Sequence, residues 1–449
     1  MTARHEAQNI LVVGLGKSGV SAARWLAGQG AKLCLTDSRA EPPGFAELRA
    51  ALPSAPFHVG GFAASEPLSH YDLAIVSPGV ALDDPFVLLL HAANVEVVGD
   101  VELFARANTD PVVPVIGITG SNGKSTVTTL VGEMVHAAGL RAGVGGNLGT
   151  PTLDLLDAEV QMYVLELSSF QLETTHRLRC AAATVLNISP DHLDRHGTLQ
   201  QYIAAKARLY SAAATAVVNR DDRATHTNAH LAQRIVSFGL DAPGPGHYGL
   251  RIHEGALWLA CGETALLPVG GLKIEGMHNV ANALAALALA DAARVPREAS
   301  LAALRAFRGL PHRCEWVADV GGVKWINDSK GTNVGATLAA LEGLSGPLVW
   351  LGGGQGKGQD FTALRTPLKK KARVAILFGQ DAVRIEQDLA GAAAVAHVAD
   401  LAAAVALARD LAQPADRVLL SPACASFDQF RNYEDRGTRF RALVQGLAA

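Results

Sequence analysis

Pro114-Val115-Ile116-Gly117-Ile118-Thr119-Gly120-Ser121-Asn122-Gly123-Lys124-Ser125-Thr126 is the stretch that decides how the chain is read. A β-branched apolar run stops at glycines, and Lys-Ser-Thr opens a helical pattern. Val127, Leu130, Val131, Met134 and Val135 recur on one face of that helix, as core residues do. The order is strand, phosphate loop, helix. Gly120, Ser121, Asn122 and Gly123 leave backbone N–H groups free to face a polyphosphate, and the helix N-terminus adds positive potential. Lys124 can reach terminal phosphates, the Ser125 hydroxyl can ligate Mg²⁺, and Thr126 continues the turn. The common form of this loop has glycine six residues before the lysine, where this chain has Ile118, so the match is to a variant.

Working outward toward the N-terminus, residues 9–13 read as a buried strand followed by Gly14-Leu15-Gly16-Lys17-Ser18-Gly19 and a helix through Leu26. A second strand from Lys32 ends at Asp37, about twenty residues on, which taken alone predicts a dinucleotide site. Strand 72–76 ends in Ser77-Pro78-Gly79, and helix 85–92 and strand 95–98 complete a small doubly wound domain. A ligand is expected where Gly14–Gly19, Asp37 and Ser77–Gly79 converge. Helix 100–107 and Asp110-Pro111 read as the crossing into the phosphate-loop domain.

Toward the C-terminus, strand 162–165 ends on Glu166, and strand 181–186 leads into Asn187 and a polar loop carrying Asp191 and His192. A helix over 199–210 carries Lys206. A long Ala/Leu helix follows Gly276-Met-His-Asn279. The last third contains strands 315–320, 323–326, 347–351, 373–378 and 417–420 with helices between them, and a glycine loop at 352–358. The expected fold class is α/β, with three domains at 1–103, 104–309 and 310–449. Strands alternating with helices imply a mainly parallel sheet in each: Rossmann-like, central P-loop ATPase-type, and Rossmann-like again. The length of 449 residues agrees with about three domains.

The net charge of −3 gives no basic field for nucleic acid. No stretch is long and apolar enough to span a bilayer. Five scattered cysteines without a CxxC, and no signal peptide, point to reduced thiols in a cytoplasm. The ends of parallel strands share one rim, so Lys124, Ser125, Glu166, Asp191 and His192 are expected together there. Ser125 and Glu166 offer oxygens suited to Mg²⁺. Those residues alone leave the class open among kinase, ATPase, GTPase and ligase. An NAD(P)-dependent oxidoreductase or a nucleotide-binding switch also remains open.

Gly120-Ser-Asn-Gly-Lys-Ser-Thr126, Glu166-Leu-Ser-Ser-Phe-Gln171, Asn187 through Arg195, Gly276-Met-His-Asn279, Leu310-Pro-His-Arg313 and Asn327-Asp-Ser-Lys330 together resemble the Mur ligase family, in order and along nearly the whole chain. Gly14–Gly19, Asp37-Ser-Arg39, Ser77-Pro-Gly79 and Ser421 through Phe430 are most similar to the member that adds D-glutamate to UDP-N-acetylmuramoyl-L-alanine. The resemblance implies ATP-driven amide formation through an acyl phosphate, in peptidoglycan precursor synthesis. It implies a UDP-substrate site at Leu15, Lys17, Ser18, Asp37, Ser38, Arg39 and Gly79, with Asn147 and His192 at the sugar–peptide part. ATP would be held by Gly120–Thr126, Asn279, Arg313, Asp328 and Lys330. D-Glutamate would meet Thr332, Lys357, Ser426, Phe427 and Tyr433. Lys124, Glu166, His192 and Lys206 would be catalytic. Two Mg²⁺ ions would involve Ser125, Glu166, His192 and a carbamylated Lys206, because a carbamate offers hard oxygens where an ammonium cannot. A monomer is expected. Three residues depart from the family form: Tyr433 in place of Phe, Gly331 in place of Ala, and Ser38 in place of Thr.

Overall fold

Three sheets form where the β-branched runs lie, in a computed structural model that describes residues 5–109 and 112–448. Asp110 and Pro111, expected at a domain crossing, lie outside the described residues. The first sheet is built from β1 (Asn9–Val13), α1 (Lys17–Gly28), β2 (Lys32–Asp37), α2 (Phe45–Ala51), β3 (Phe57–Val59), β4 (Leu73–Val76), α3 (Pro85–Ala92) and β5 (Glu96–Val98). Its strand order is β3-β2-β1-β4-β5, all parallel. The order reverses between β1 and β4, so their C-terminal ends open a crevice.

Helix α4 (Asp100–Ala107) follows, then β6 (Val115–Thr119), α5 (Lys124–Ala137), β7 (Ala142–Gly146), β8 (Met162–Glu166), α6 (Ser169–Glu173) and β9 (Cys180–Val185). Next come α7 (Leu193–His196), α8 (Leu199–Ala207), β10 (Ala213–Asn219) and β11 (Arg234–Phe238). The sheet runs β11-β10-β9-β6-β8-β7 in parallel. Short strands β12 (Tyr248–His253), β13 (Ala256–Cys261) and β14 (Thr264–Pro268) extend it beyond β11. The helix expected over 199–210 gives way to a 3₁₀ turn at Arg208–Tyr210. Phe104 meets Tyr163 edge-on at 4.9 Å, and one hydrophobic core contains both rings together with Ile10 of β1.

After α9 (Met277–Ala292) and α10 (Arg297–Ala306), the last sheet comprises β15 (Glu315–Val320), β16 (Val323–Asn327), α11 (Val334–Gly343), β17 (Leu348–Gly353), α12 (Arg365–Lys371), β18 (Ala372–Phe378), α13 (Ala382–Leu389), β19 (Val395–His397), α14 (Leu401–Leu411) and β20 (Arg417–Leu420), closed by α15 (Tyr433–Ala448). Its order is β15-β16-β20-β17-β18-β19. β15 and β16 are antiparallel, a departure from the parallel expectation. Gly321 and Gly322 explain it: at φ +60° and +79° they make a two-residue hairpin turn. Trp350 and Trp325 are buried in two separate hydrophobic clusters of this sheet.

The chain divides into two compact units. One holds residues up to Leu250 with Ala260–Leu266 and Leu284–Leu304. The other holds Arg251–Leu259, Leu267–Ala283 and the residues from Arg305 on. No helix among the described residues is long and apolar enough to cross a membrane.

Candidate functional site

In the first unit, a cavity of about 530 Å³ opens at the crevice between β1 and β4. Its wall brings together Gly14, Gly16, Lys17, Ser18, Asp37, Ser38, Arg39 and Ser77–Val80 with Gly146, Asn147, Gly149, Pro151 and Gln171. Tight packing shapes its floor. Ser77 Oγ donates to the Gly14 carbonyl at 2.6 Å, and a Cβ on Gly19 would lie 1.9 Å from that same oxygen. Leu15, expected as a contact, points into the core with no exposure; its N–H donates to Asp37 Oδ2 at 2.7 Å. Asp37 Oδ2 also accepts from Arg39 Nη2, and Oδ1 accepts from the Arg39 N–H and Nε. Burial pushes this carboxyl up, but the Arg39 guanidinium and the Leu15 and Arg39 N–H groups outweigh it and hold the acid below its ordinary range. Lys17 and Arg39 give the cavity two cations.

Phe62 and Gln171 line the cavity and were not anticipated. Phe62 carries no motif. Gln171 had a readable signal: with Ser168 it forms a capping box at the start of α6.

The phosphate loop lies in the same unit. Gly123 caps α5 in the left-handed region, with φ +82° and no side-chain cap hydrogen bond. Gly120, at φ +147°, sits so close to Leu186 that a Cβ would come 3.0 Å from its Cβ. The loop is braced by the segment after β9: Asn122 N–H donates to Asn187 Oδ1 at 2.8 Å, and Ser189 N–H donates to Ser121 Oγ at 2.9 Å. The Lys124 ammonium folds back onto the Gly120 and Ser121 carbonyls at 2.8 and 3.0 Å. Ser125 and Thr126 are buried.

Next to this loop, Glu166 ends β8 and is 3% exposed. Asn147 Nδ2 donates to its Oε1 at 2.7 Å, while Oε2 is buried without a hydrogen-bond partner. A buried, orphaned carboxylate oxygen calls for a cation. Lys206, 2% exposed, donates to the Gly120 carbonyl at 3.0 Å. Burial, and then the charge of Lys124, push its ammonium well below the ordinary lysine range, against the pull of Asp191 and Glu166. His192 has a half-exposed side chain and a left-handed backbone at φ +54°. Among the described residues no three His, Cys, Asp or Glu side chains stand ready to hold a metal ion.

The second unit gathers the other expected residues. Asp328 is 8% exposed; its Oδ1 accepts from the Cys314 N–H and its Oδ2 from Ser421 Oγ at 2.7 Å. Burial pushes this acid up to about 6. A Cβ on Gly331 would lie 2.7 Å from both Asp328 Oδ2 and Ser421 Oγ, so glycine suits this version of the loop. Lys330 places its ammonium over the Tyr433 ring at 3.9 Å. Thr332 N–H donates to the Lys330 carbonyl. Ser426 Oγ is buried and unpartnered, and the neighbouring Phe427 ring is exposed, with Lys357 Nζ 5.7 Å from its centroid. Asn279 donates to the Glu275 carbonyl at 2.8 Å and accepts from Asn282. Arg313 is half-buried and bonds through its N–H to the Leu310 carbonyl. Gly353 follows from packing, since a Cβ there would lie 1.8 Å from the Phe378 carbonyl oxygen.

Three sequence profiles match the chain in order: "Mur ligase MurD-like, N-terminal domain" at 8–99, "Mur ligase middle domain" at 118–290, and "Mur ligase, glutamate ligase domain" at 312–424. The chain is 50% identical over 440 residues to a UDP-N-acetylmuramoylalanine--D-glutamate ligase of Nitrosococcus oceani, covering 97% of this chain and 96% of that one. It is 50% identical over 445 residues to the ligase of the same name from Hahella chejuensis, covering 98% of each. Two solved structures share the fold. A pseudomurein peptide ligase type C from Methanothermus fervidus matches with TM-score 0.62, 18% identity and coverage of 98% of this chain and 100% of its own. A UDP-N-acetylmuramate-alanine ligase from Thermotoga maritima matches with TM-score 0.59, 20% identity and coverage of 98% and 99%.

Proposed function

The chain belongs to the Mur ligase family, and on that premise we propose that it joins D-glutamate to UDP-N-acetylmuramoyl-L-alanine at the expense of ATP. The structural observation that carries the reading is Asn147, which lines the cavity and also grips Glu166 beside the phosphate loop. A UDP-sugar in that cavity would send its peptide end toward the residues that handle phosphate. The proposed domains at 1–103, 104–309 and 310–449 would supply, in turn, most contacts to the UDP substrate, the phosphate loop for ATP, and the contacts to D-glutamate.

The alanyl carboxylate attacks the γ-phosphorus of ATP, ADP leaves, and an acyl phosphate forms. The uncharged amine of D-glutamate then attacks the acyl carbon and phosphate leaves. The first step brings anions together and needs cations. Lys124 would exchange its two loop carbonyls for phosphate oxygens. Asn279, Arg313, Asp328 and Lys330 would hold the nucleotide, while Thr332, Lys357, Ser426, Phe427 and Tyr433 would hold D-glutamate. The orphaned Ser426 hydroxyl suits a carboxylate acceptor.

Glu166 Oε2 fits a divalent cation, and Ser125 and His192 would complete the set. Magnesium bound there would neutralise phosphate charge. An ammonium at Lys206 does not fit such a set, but its depressed basicity supplies a remedy. The neutral amine attacks CO₂, a C–N bond forms, a proton leaves, and the carbamate presents two oxygens.

The dehydrogenase alternative needs Asp37 to receive ribose hydroxyls. Four donors from Leu15 and Arg39 already occupy its oxygens, which disfavours that role. The five free thiols suit a reducing cytoplasm. The test is phosphate release with ATP and UDP-N-acetylmuramoyl-L-alanine against a panel of D- and L-amino acids. Release that depends on D-glutamate and lengthens the muramoyl peptide is expected; release indifferent to the amino acid overturns the reading.

A further inference from the structure

Ser169, His196 and Glu173 form a chain of polar contacts that the proposed reaction leaves unused. Ser169 Oγ lies 2.9 Å from His196 Nε2, and His196 Nδ1 lies 3.3 Å from Glu173 Oε1. A carboxylate beside Nδ1 assigns the proton to that nitrogen and leaves Nε2 to accept from the serine hydroxyl. The sequence of groups is that of a hydrolytic triad. Ser169 is only 2% exposed, however, so it has no open face for a substrate. The chain must act on its neighbours instead.

Those neighbours lead in two directions. The Phe170 ring stacks on His196 with centroids 5.3 Å apart at 19° and meets His192 edge-on at 5.0 Å. Arg195 lays its guanidinium over the same ring at 4.8 Å, pairs with Glu173 at 3.3 Å, and donates to the Val80 carbonyl at 2.9 Å. Val80 belongs to the cavity wall. One short run thus touches both the nucleotide-sugar cavity and the candidate metal ligand. His192 itself holds a left-handed backbone at φ +54°, uncommon for a residue other than glycine, and such a conformation persists where its surroundings support it.

We infer that Arg195 and His196 are positioning residues: clamped by Glu173, Ser169 and Phe170, they fix the orientation of His192 and tie it to the cavity wall at Val80. The inference rests on the ligase reading above.

The experiment uses the full chain and four variants. His196→Phe keeps a ring on Phe170 and removes both nitrogens. It should lower kcat about 10-fold or more while the KM values for ATP and D-glutamate stay within about twofold. His196→Gln returns an acceptor to Ser169 and should recover part of that kcat. Arg195→Lys keeps the charge and loses the fork, so calorimetry with UDP-N-acetylmuramoyl-L-alanine alone should show affinity weakened about 5-fold or more. A merely structural role would lower the melting temperature and the folded fraction without this split. The inference is overturned if His196→Phe keeps wild-type kcat, if the glutamine variant is no better than the phenylalanine one, or if Arg195→Lys binds like wild type. Should His196→Phe not fold, Ser169→Ala removes the hydrogen bond to Nε2 and carries the same kcat test. A wild-type chain that binds no UDP-sugar would sink the ligase reading itself; active wild type with unaltered variants would sink only the positioning role.

Discussion

Asn147 holds Glu166 at both ends: its side-chain amide donates to Oε1 at 2.7 Å and its backbone N–H donates to the Glu166 carbonyl at 2.8 Å. A Cβ on Gly146 would lie 2.4 Å from that carbonyl oxygen, so glycine is what lets Asn147 come this close. The carboxylate is thereby aimed with Oε2 left over. Glu166→Gln keeps the shape and removes the charge. The apparent magnesium affinity in a phosphate-release titration should fall about 10–100-fold, with UDP-sugar binding little changed. An unchanged magnesium midpoint would rule out Glu166 as a ligand.

Lys206→Ala removes the amine on which the carbamate is built. Activity should drop about 100-fold or more and return in part with formate or acetate, whose carboxylates can occupy the vacated space. Lys206→Arg should gain nothing, since a guanidinium does not take up CO₂. Failure of every short carboxylic acid to restore turnover would remove the case for carbamylation.

Gly19→Ala tests the cavity floor. The added methyl would meet the Gly14 carbonyl at 1.9 Å and Ser77 Oγ at 2.7 Å, breaking the bond between them. Overpacking of this kind costs about 1–3 kcal/mol, and UDP-sugar affinity should fall with it. Urea denaturation and calorimetry read the two effects. A variant as stable and as tight as wild type would show that the floor yields.

Two titratable groups of the second unit, the half-buried His278 and the buried Asp328, should give stability opposing pH dependences. Burial pushes the His278 imidazole down to about 4, so between about 4 and 6.5 the folded chain holds fewer protons there than the unfolded one. Its contribution is present above 6.5 and is lost as pH falls toward 4. Burial pushes Asp328 up to about 6, so its contribution is present below 3.8 and is lost as pH rises through 6. His278→Gln should therefore lose less stability than wild type on acidification from pH 7 to about 4.5, and Asp328→Asn should lose more. Urea midpoints at the two pH values check both signs; parallel shifts in all three proteins would contradict them.

Much of this architecture was legible because glycine and the β-branched residues mark strand ends in parallel sheets. Gly14 and Gly120 sit one step past a strand and Glu166 ends one, so their place at the strand ends follows from topology. α2 and β3 escaped the reading because prolines 42, 43, 53 and 56 mask the periodicity. What fixes α2 is tertiary: a Cβ on Gly44 would lie 2.0 Å from Val20 Cγ2. The hairpin of β15 and β16 was readable in Gly321-Gly322 but was hidden by the αβ alternation around it. Phe62 could not be found by pattern, since only the closed chain brings it to the wall. The clamp around His196 was likewise invisible, because the contacts of His196 with Ser169 and Glu173 depend on how the short helices α6 and α7 lie together.

Five of the residues lining the cavity are glycines, Gly14, Gly16, Gly79, Gly146 and Gly149, which can present only backbone to it. Three of them hold positive φ, at +89°, +101° and +65°, where other residues are strained. A drug gripping these peptide groups would leave a bacterium few escape mutations, because most replacements that evict the compound would also distort the proposed nucleotide-sugar site. On the proposed reading such a compound would rival the cell-wall precursor instead of ATP, and so would avoid the host's many kinases.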